Sequence, residues 1–146
     1  MTDTERSEES RPAATGVPAF APQGWADAAP TILWITDPTG YCTYLNQTWY
    51  TTTGQSPSAA EGWLDATHPD DAEAAGVAFI EANAARVPLR CEYRLRQADG
   101  RYRWCVAVAN PHWAADGTYL GMVGTVFDID AAKQTQDALV TSEARF

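Results

Sequence analysis

Residues 89–96 read Leu-Arg-Cys-Glu-Tyr-Arg-Leu-Arg, placing Leu89, Cys91, Tyr93 and Leu95 on one side and Arg90, Glu92, Arg94 and Arg96 on the other. A period of two residues is that of a strand with one face in a core and one in water. Asp99-Gly100 follows, a pair favoured in tight hairpin turns because glycine accepts a positive φ at no steric cost. Residues 101–109 then form a return strand, and Asp116-Gly117 marks a second hairpin leading into residues 119–127. That last run is apolar on both sides, with Leu120, Met122 and Val126 on one and Tyr119, Val123 and Phe127 on the other. A strand of this kind has to be covered twice. Helices in the middle of the chain supply one cover; a terminal helix or a second subunit must supply the other.

Two earlier β-type runs, residues 32–36 and 41–45, flank Asp37-Pro38-Thr39-Gly40, where Pro second and Gly fourth fit a type I turn. Asn46 is a candidate N-cap for a short helix over residues 47–53 that ends at Gly54. Ser56-Pro57 opens a helical turn stopped at Gly62, and His68-Pro69-Asp70-Asp71 opens the longest helix, with Asp70 as its cap. That helix is predicted to reach Ala85, with Val77, Ile80, Ala84 and Phe79 on its apolar side. His112, between Pro111 and Trp113, is expected in an exposed turn. Residues 130–146 read as an exit helix in which Ile129, Ala132, Gln136, Leu139, Glu143 and Phe146 fall at spacings of three and four. With Gln136 and Glu143 in the series, this suggests a coiled coil without establishing one. The resulting partition is a flexible leader over residues 1–24, a folded domain over 25–129 and a C-terminal helix over 130–146.

Composition narrows the function. A chain of 146 residues holds one domain plus extensions. Its net charge of −9 disfavours nucleic acid, which demands clustered Lys and Arg. Arg94, Arg96, Arg101 and Arg103 do crowd two neighbouring strands, but a solvated sheet face accounts for them. No apolar run nears the roughly 18 residues of a membrane span, so no membrane contact is expected. The polar, acidic start lacks the pattern of a secretory signal, which makes the cytoplasm the expected compartment. Cys42, Cys91 and Cys105 lack metal-ligand spacing and sit in apolar runs, as small buried hydrophobes do.

The order of elements is two strands, short helices and one long helix, three antiparallel strands and an exit helix. Distributed along it are Ile32-Leu33-Trp34-Ile35-Thr36-Asp37 with Gly40, Tyr44-Leu45-Asn46-Gln47-Thr48-Trp49, Thr53-Gly54, Gly62-Trp63, His68-Pro69-Asp70-Asp71, Glu92-Tyr93-Arg94, Asp99-Gly100, Arg103-Trp104 and Gly124-Thr125-Val126-Phe127-Asp128-Ile129. In this order they resemble the PAS family, in particular the subgroup found in bacterial sensor histidine kinases and cyclic-di-GMP enzymes. The resemblance implies an α+β fold: a five-stranded antiparallel sheet with helices on one face and a C-terminal exit helix. It also implies that Asp128 pairs with a basic residue of the neighbouring strands, Arg94 or Arg103. The family's junction usually reads Asp-Ile-Thr where this chain has Asp128-Ile129-Asp130, and Asp130 is then a candidate cap for the exit helix. Ser142-Glu143-Ala144-Arg145-Phe146 resembles the phrase opening a following PAS domain in tandem arrays.

These readings converge on a non-catalytic sensory or dimerisation module of a multidomain signalling protein. It would act through its exit helix on an output domain of the same polypeptide, and form a homodimer through that helix and the outer sheet face. Neither His68 nor His112 can be built into a catalytic triad or a metal site, and the carboxylates are scattered. No Cys lies between Cys42 and Cys91, where the flavin–cysteine photosensors carry theirs. The expectation is therefore no cofactor, with non-covalent flavin the first alternative and haem the second, since six Trp and six Tyr could line a site. If a ligand binds, the candidates around it are Trp49, Trp63, Phe79, Tyr93, Trp104 and Met122.

Overall fold

The computed structural model describes residues 23–57 and 62–144 and, in 140–144, the backbone alone. Residues 1–22 of the expected leader, the core of the turn expected between Ser56 and Gly62, and the Glu143 and Phe146 side chains of the expected helical seam lie outside the described residues. In chain order the elements are α1 (Gln23–Ala28), β1 (Ile32–Thr36), β2 (Cys42–Leu45), α2 (Gln47–Thr53), a 3-10 turn (Trp63–Ala66), α3 (Pro69–Ala85), β3 (Leu89–Arg96), β4 (Tyr102–Trp113), β5 (Tyr119–Asp128) and α4 (Asp130–Ala144). The strands form one antiparallel sheet in the order β2-β1-β5-β4-β3. β5, last in sequence, is the central strand, between β1 and β4. Its inner side, with Met122 and Val126, is buried beneath the helices, and its outer side, with Val123 and Phe127, is left open.

Both hairpin turns after β3 form where the sequence places them, closed by Gln97 N–H on Arg101 O at 2.7 Å and Ala114 N–H on Thr118 O at 2.8 Å. β4 runs further than expected: His112 is not in a turn but in the strand, opposite Gly121. Beyond it Trp113 pairs with Tyr119, which leaves Leu120 as an extra residue in β5. This bulge changes the face assignments. Tyr119 turns inward with Met122 and Val126, and Leu120 points outward, 39% exposed. Gly121 has φ +117°, and a Cβ there would collide with the Thr36 carbonyl oxygen. Only glycine fits.

Helix termini also depart from expectation in detail. Asn46 occupies the N-cap position of α2, but its fully buried side chain is spent elsewhere. Its Oδ1 accepts from Leu33 N–H at 2.9 Å, and its Nδ2 donates to Ala26 O and Thr31 O at 2.8 and 2.9 Å, tying α1 and β1 to α2. α3 is capped by His68, whose Nδ1 accepts from Asp70 N–H at 3.1 Å, so Asp70 is the donor and not the cap. The buried side of α3 is Ala75, Phe79 and Ala82, while Val77 and Ile80 face outward at 45% and 64% exposure. Small residues at 75 and 82 let the helix lie close to the sheet, so that Phe79 can reach Trp34 and Trp63.

Candidate functional site

α2, the 3-10 turn and α3 sit over the inner face of the sheet and enclose a cavity of about 40 Å³. Its wall is largely aromatic. Phe79 meets Trp34 and Trp63 edge-on, at centroid separations of 6.0 and 6.4 Å, and Trp63 lies 5.8 Å from Tyr93. Trp34 rests on the bare backbone of Gly124, its cross-strand partner, where any side chain would displace the indole. Trp49, 1% exposed, is held by Nε1 donating to Gln55 Oε1 at 2.9 Å, and Gln55 Nε2 donates to Gly62 O at 3.1 Å.

Of the six residues singled out in the sequence, Trp49, Trp63, Phe79 and Tyr93 line this cavity. Met122 is fully buried in the adjoining cluster with Phe79, Ala82, Leu89 and Ala109, outside the lining. Trp104 is on the opposite face of the sheet: its register partner is Arg94, while Tyr93 pairs with Cys105. Adjacent strand positions face opposite ways, so Tyr93 and Trp104 cannot share a side. The sequence reading missed Trp34, Thr36, Cys42 and Cys91 as lining residues. Trp34 and Thr36 share the parity of Ile32, and Cys91 that of Tyr93, while Cys42 is placed by register opposite Thr36.

The wall offers little chemistry. Burial raises the thiols of Cys42 and Cys91 above their ordinary value and pushes Cys105 up to about 12. All three are therefore protonated, poor nucleophiles near neutral pH. Among the described residues no group of three or more His, Cys, Asp and Glu could hold a metal ion. A space of about 40 Å³ takes about three waters, whereas sites for drug-sized ligands span roughly 300–1,000 Å³.

The second arrangement of interest is the passage from β5 to α4. Arg103 Nε donates to Asp128 Oδ2 at 2.6 Å, and Asp128 Oδ1 accepts from Asp130 N–H at 2.9 Å. Asp128 thus satisfies the first turn of α4, and Asp130 is the first helical residue instead of the cap. The Asp130 carboxylate accepts from Trp104 N–H at 3.0 Å and from Gln134 Nε2 at 2.7 Å. Ile129 N–H continues the sheet ladder onto Trp104 O at 2.9 Å. Arg94 does not reach Asp128. It forms a bidentate pair with Asp71 of α3, Nε to Oδ2 and Nη2 to Oδ1, both at 2.9 Å.

The Arg94 pair holds the Asp71 carboxyl below its ordinary value of 3.8. Burial acts to raise Asp128, but Arg103 and the Asp130 N–H outweigh it and hold that carboxyl low as well. A depressed folded value means that the unfolded chain binds protons first as pH falls. The stabilisation is therefore complete above about pH 5 and is lost as pH falls through the ordinary carboxylate range toward the folded values. The thermal midpoint should drop across this acid range, and Asp71→Asn should flatten the dependence. An equal slope in the variant would contradict the assignment.

The family's model, described as the PAS fold, matches residues 43–126, and the chain belongs to that family. The chain is 41% identical over 113 residues to the uncharacterized protein y4lL of Sinorhizobium fredii, a match covering 76% of this chain and 14% of that protein. It thus spans a small part of the curated relative's length. A sensory box histidine kinase/response regulator from Burkholderia thailandensis superposes with TM-score 0.62 at 27% identity, covering 84% of this chain and 95% of that one. The N-terminal domain of a diguanylate cyclase with PAS/PAC sensor from Marinobacter aquaeolei shares the fold with TM-score 0.61 at 21% identity, covering 70% and 98%. The chain is thus a PAS domain, as the sequence motifs implied, and it shares its fold with the domains solved in those two proteins. Among the described residues no helix is long and apolar enough to cross a membrane.

Proposed function

We propose that the chain works as a non-catalytic dimerisation and relay module, joining a second copy through the outer sheet face and α4 and passing a signal to an output domain of the same polypeptide. One observation carries this reading: the outer side of the central strand is apolar and open. Val123 and Phe127 are 42% and 47% exposed, and a groove of about 440 Å³ runs along Leu33, Val108, Val123 and Thr125. α4 does not cover it. Lys133 reaches back to Glu92 and Trp104, but the side chains of residues 134–139 are exposed, Leu139 at 59%. Exposed apolar surface of this kind is costly in water and marks an interaction face. The flavin or haem alternative has less support, because neither fits a cavity of about 40 Å³ and neither histidine lines it.

The test is the double variant Val123→Glu/Phe127→Glu, followed by light scattering. The unaltered chain should run as a dimer. The variant, which sets four carboxylates into a desolvated two-fold interface, should run as a monomer with little change in thermal midpoint. Removal of residues 131–146 should weaken the same dimer. Persistence of the dimer in the glutamate variant would contradict the reading.

A further inference from the structure

Trp104 lies half-buried on the outer face of β4, away from the cavity. Two cations address its ring: the Arg94 guanidinium carbon is 5.1 Å from the centroid and Lys133 Nζ is 4.8 Å away. Each cation is fixed by its own carboxylate. Asp71 of α3 holds Arg94 at 2.9 Å, and Glu92 Oε1 of β3 holds Lys133 of α4 at 2.7 Å. The backbone of Trp104 meets α4 as well, through its N–H on Asp130 Oδ1 and its carbonyl under Ile129 N–H. The helix at one end of this chain of contacts, α3, lines the cavity with Ala75 and Phe79. The helix at the other end is α4. Among the described residues no hydrogen bond, ion pair or ring contact runs directly from α3 to α4, and the ring with the charges on it forms a continuous bridge between them.

We propose that Trp104 is the positioning residue that couples the cavity helix to the exit helix. A displacement of α3 that loosens Asp71 frees Arg94 from the ring, and the ring then settles differently against Lys133 and alters the hold on the first turn of α4. This rests on the reading of α4 as the output element. It adds a residue and a route that the Asp128–Arg103 pair does not include. A bridge seen in space is not yet a coupling; coupling requires that a change at one end alter the other only while the middle is intact.

The experiment is a double-mutant cycle read by amide hydrogen exchange in the full 146-residue chain. Exchange of the α4 amides 131–137 is compared with that of Ala107 and Val126, strand positions that report global unfolding. Lys133→Met should speed the α4 amides about fivefold, the scale of one cation–π contact. Asp71→Asn, at a residue that does not touch α4, should speed them about two- to threefold, within the range for residues on a coupling route. In a Trp104→Leu background Asp71→Asn should produce no further change, and Trp104→Phe, which keeps a weaker ring, should lie between. The proposal is overturned if Asp71→Asn leaves the α4 amides unaltered while Trp104 is present, or alters them equally in its absence. Either outcome leaves the light-scattering result untouched, so loss of this coupling is distinguishable from failure of the dimer reading.

Discussion

Replacing Trp49 with alanine is expected to lower the stability of the domain by about 3–5 kcal/mol, measured by urea denaturation. The indole is 1% exposed and forms part of the cavity wall. Truncation enlarges a space that is already underfilled, and the surrounding strands cannot collapse into it. It also strands the buried Gln55 Oε1, which accepts the indole N–H. An orphaned buried acceptor adds its own desolvation penalty. Trp49→Phe retains most of the ring volume and should cost roughly half as much. A loss below about 1 kcal/mol for the alanine variant would mean that α2 is not anchored to the sheet by this residue.

Gly121→Ala should be nearly as damaging, at about 2–4 kcal/mol, although it adds a single methyl group. Two independent penalties act together. The backbone at φ +117° is disfavoured for any residue with a Cβ, and the added atom would collide with Thr36 O and lie 2.8 Å from Asp37 C. Relief requires β5 to move off β1, which breaks the bond from Met122 N–H to Thr36 Oγ1 at 3.0 Å. A thermal melt of the variant should show a large fall in midpoint. An unchanged midpoint would show that the bulge can relax at no cost.

The same bulge shows where sequence reading stopped. Alternation over residues 89–96 is unbroken, and β3 came out as read, with Leu89, Tyr93 and Leu95 buried. In β5 the period of two is interrupted at Leu120, so counting straight through it put Tyr119 on the wrong face. Gly121 was the local sign, since a glycine inside a strand often marks a bulge. Trp104 lies outside the pocket because the hairpin loop has three residues, 98–100, closed by Gln97 N–H on Arg101 O, which sets Trp104 opposite Arg94; a two-residue Asp99-Gly100 loop would have set it opposite Leu95, inside. α3 was misread for a different reason. Val77 and Ile80 are its most hydrophobic residues, yet close approach to a sheet selects the alanine side. The junction was legible as far as Asp128, but the choice between Arg94 and Arg103 depended on Asp71, which lies 23 residues before Arg94 in sequence. The diversion of Asn46 to Ala26, Thr31 and Leu33 was a tertiary effect, whereas the His68 cap is local, accepting from Asp70 two residues on.

Native mass spectrometry of the chain as expressed tests most directly whether the outer face of β5 is an interface. The expected result is a dimer at twice the polypeptide mass with no bound small molecule. A monomer, or a chain carrying a flavin- or haem-sized mass, would contradict it.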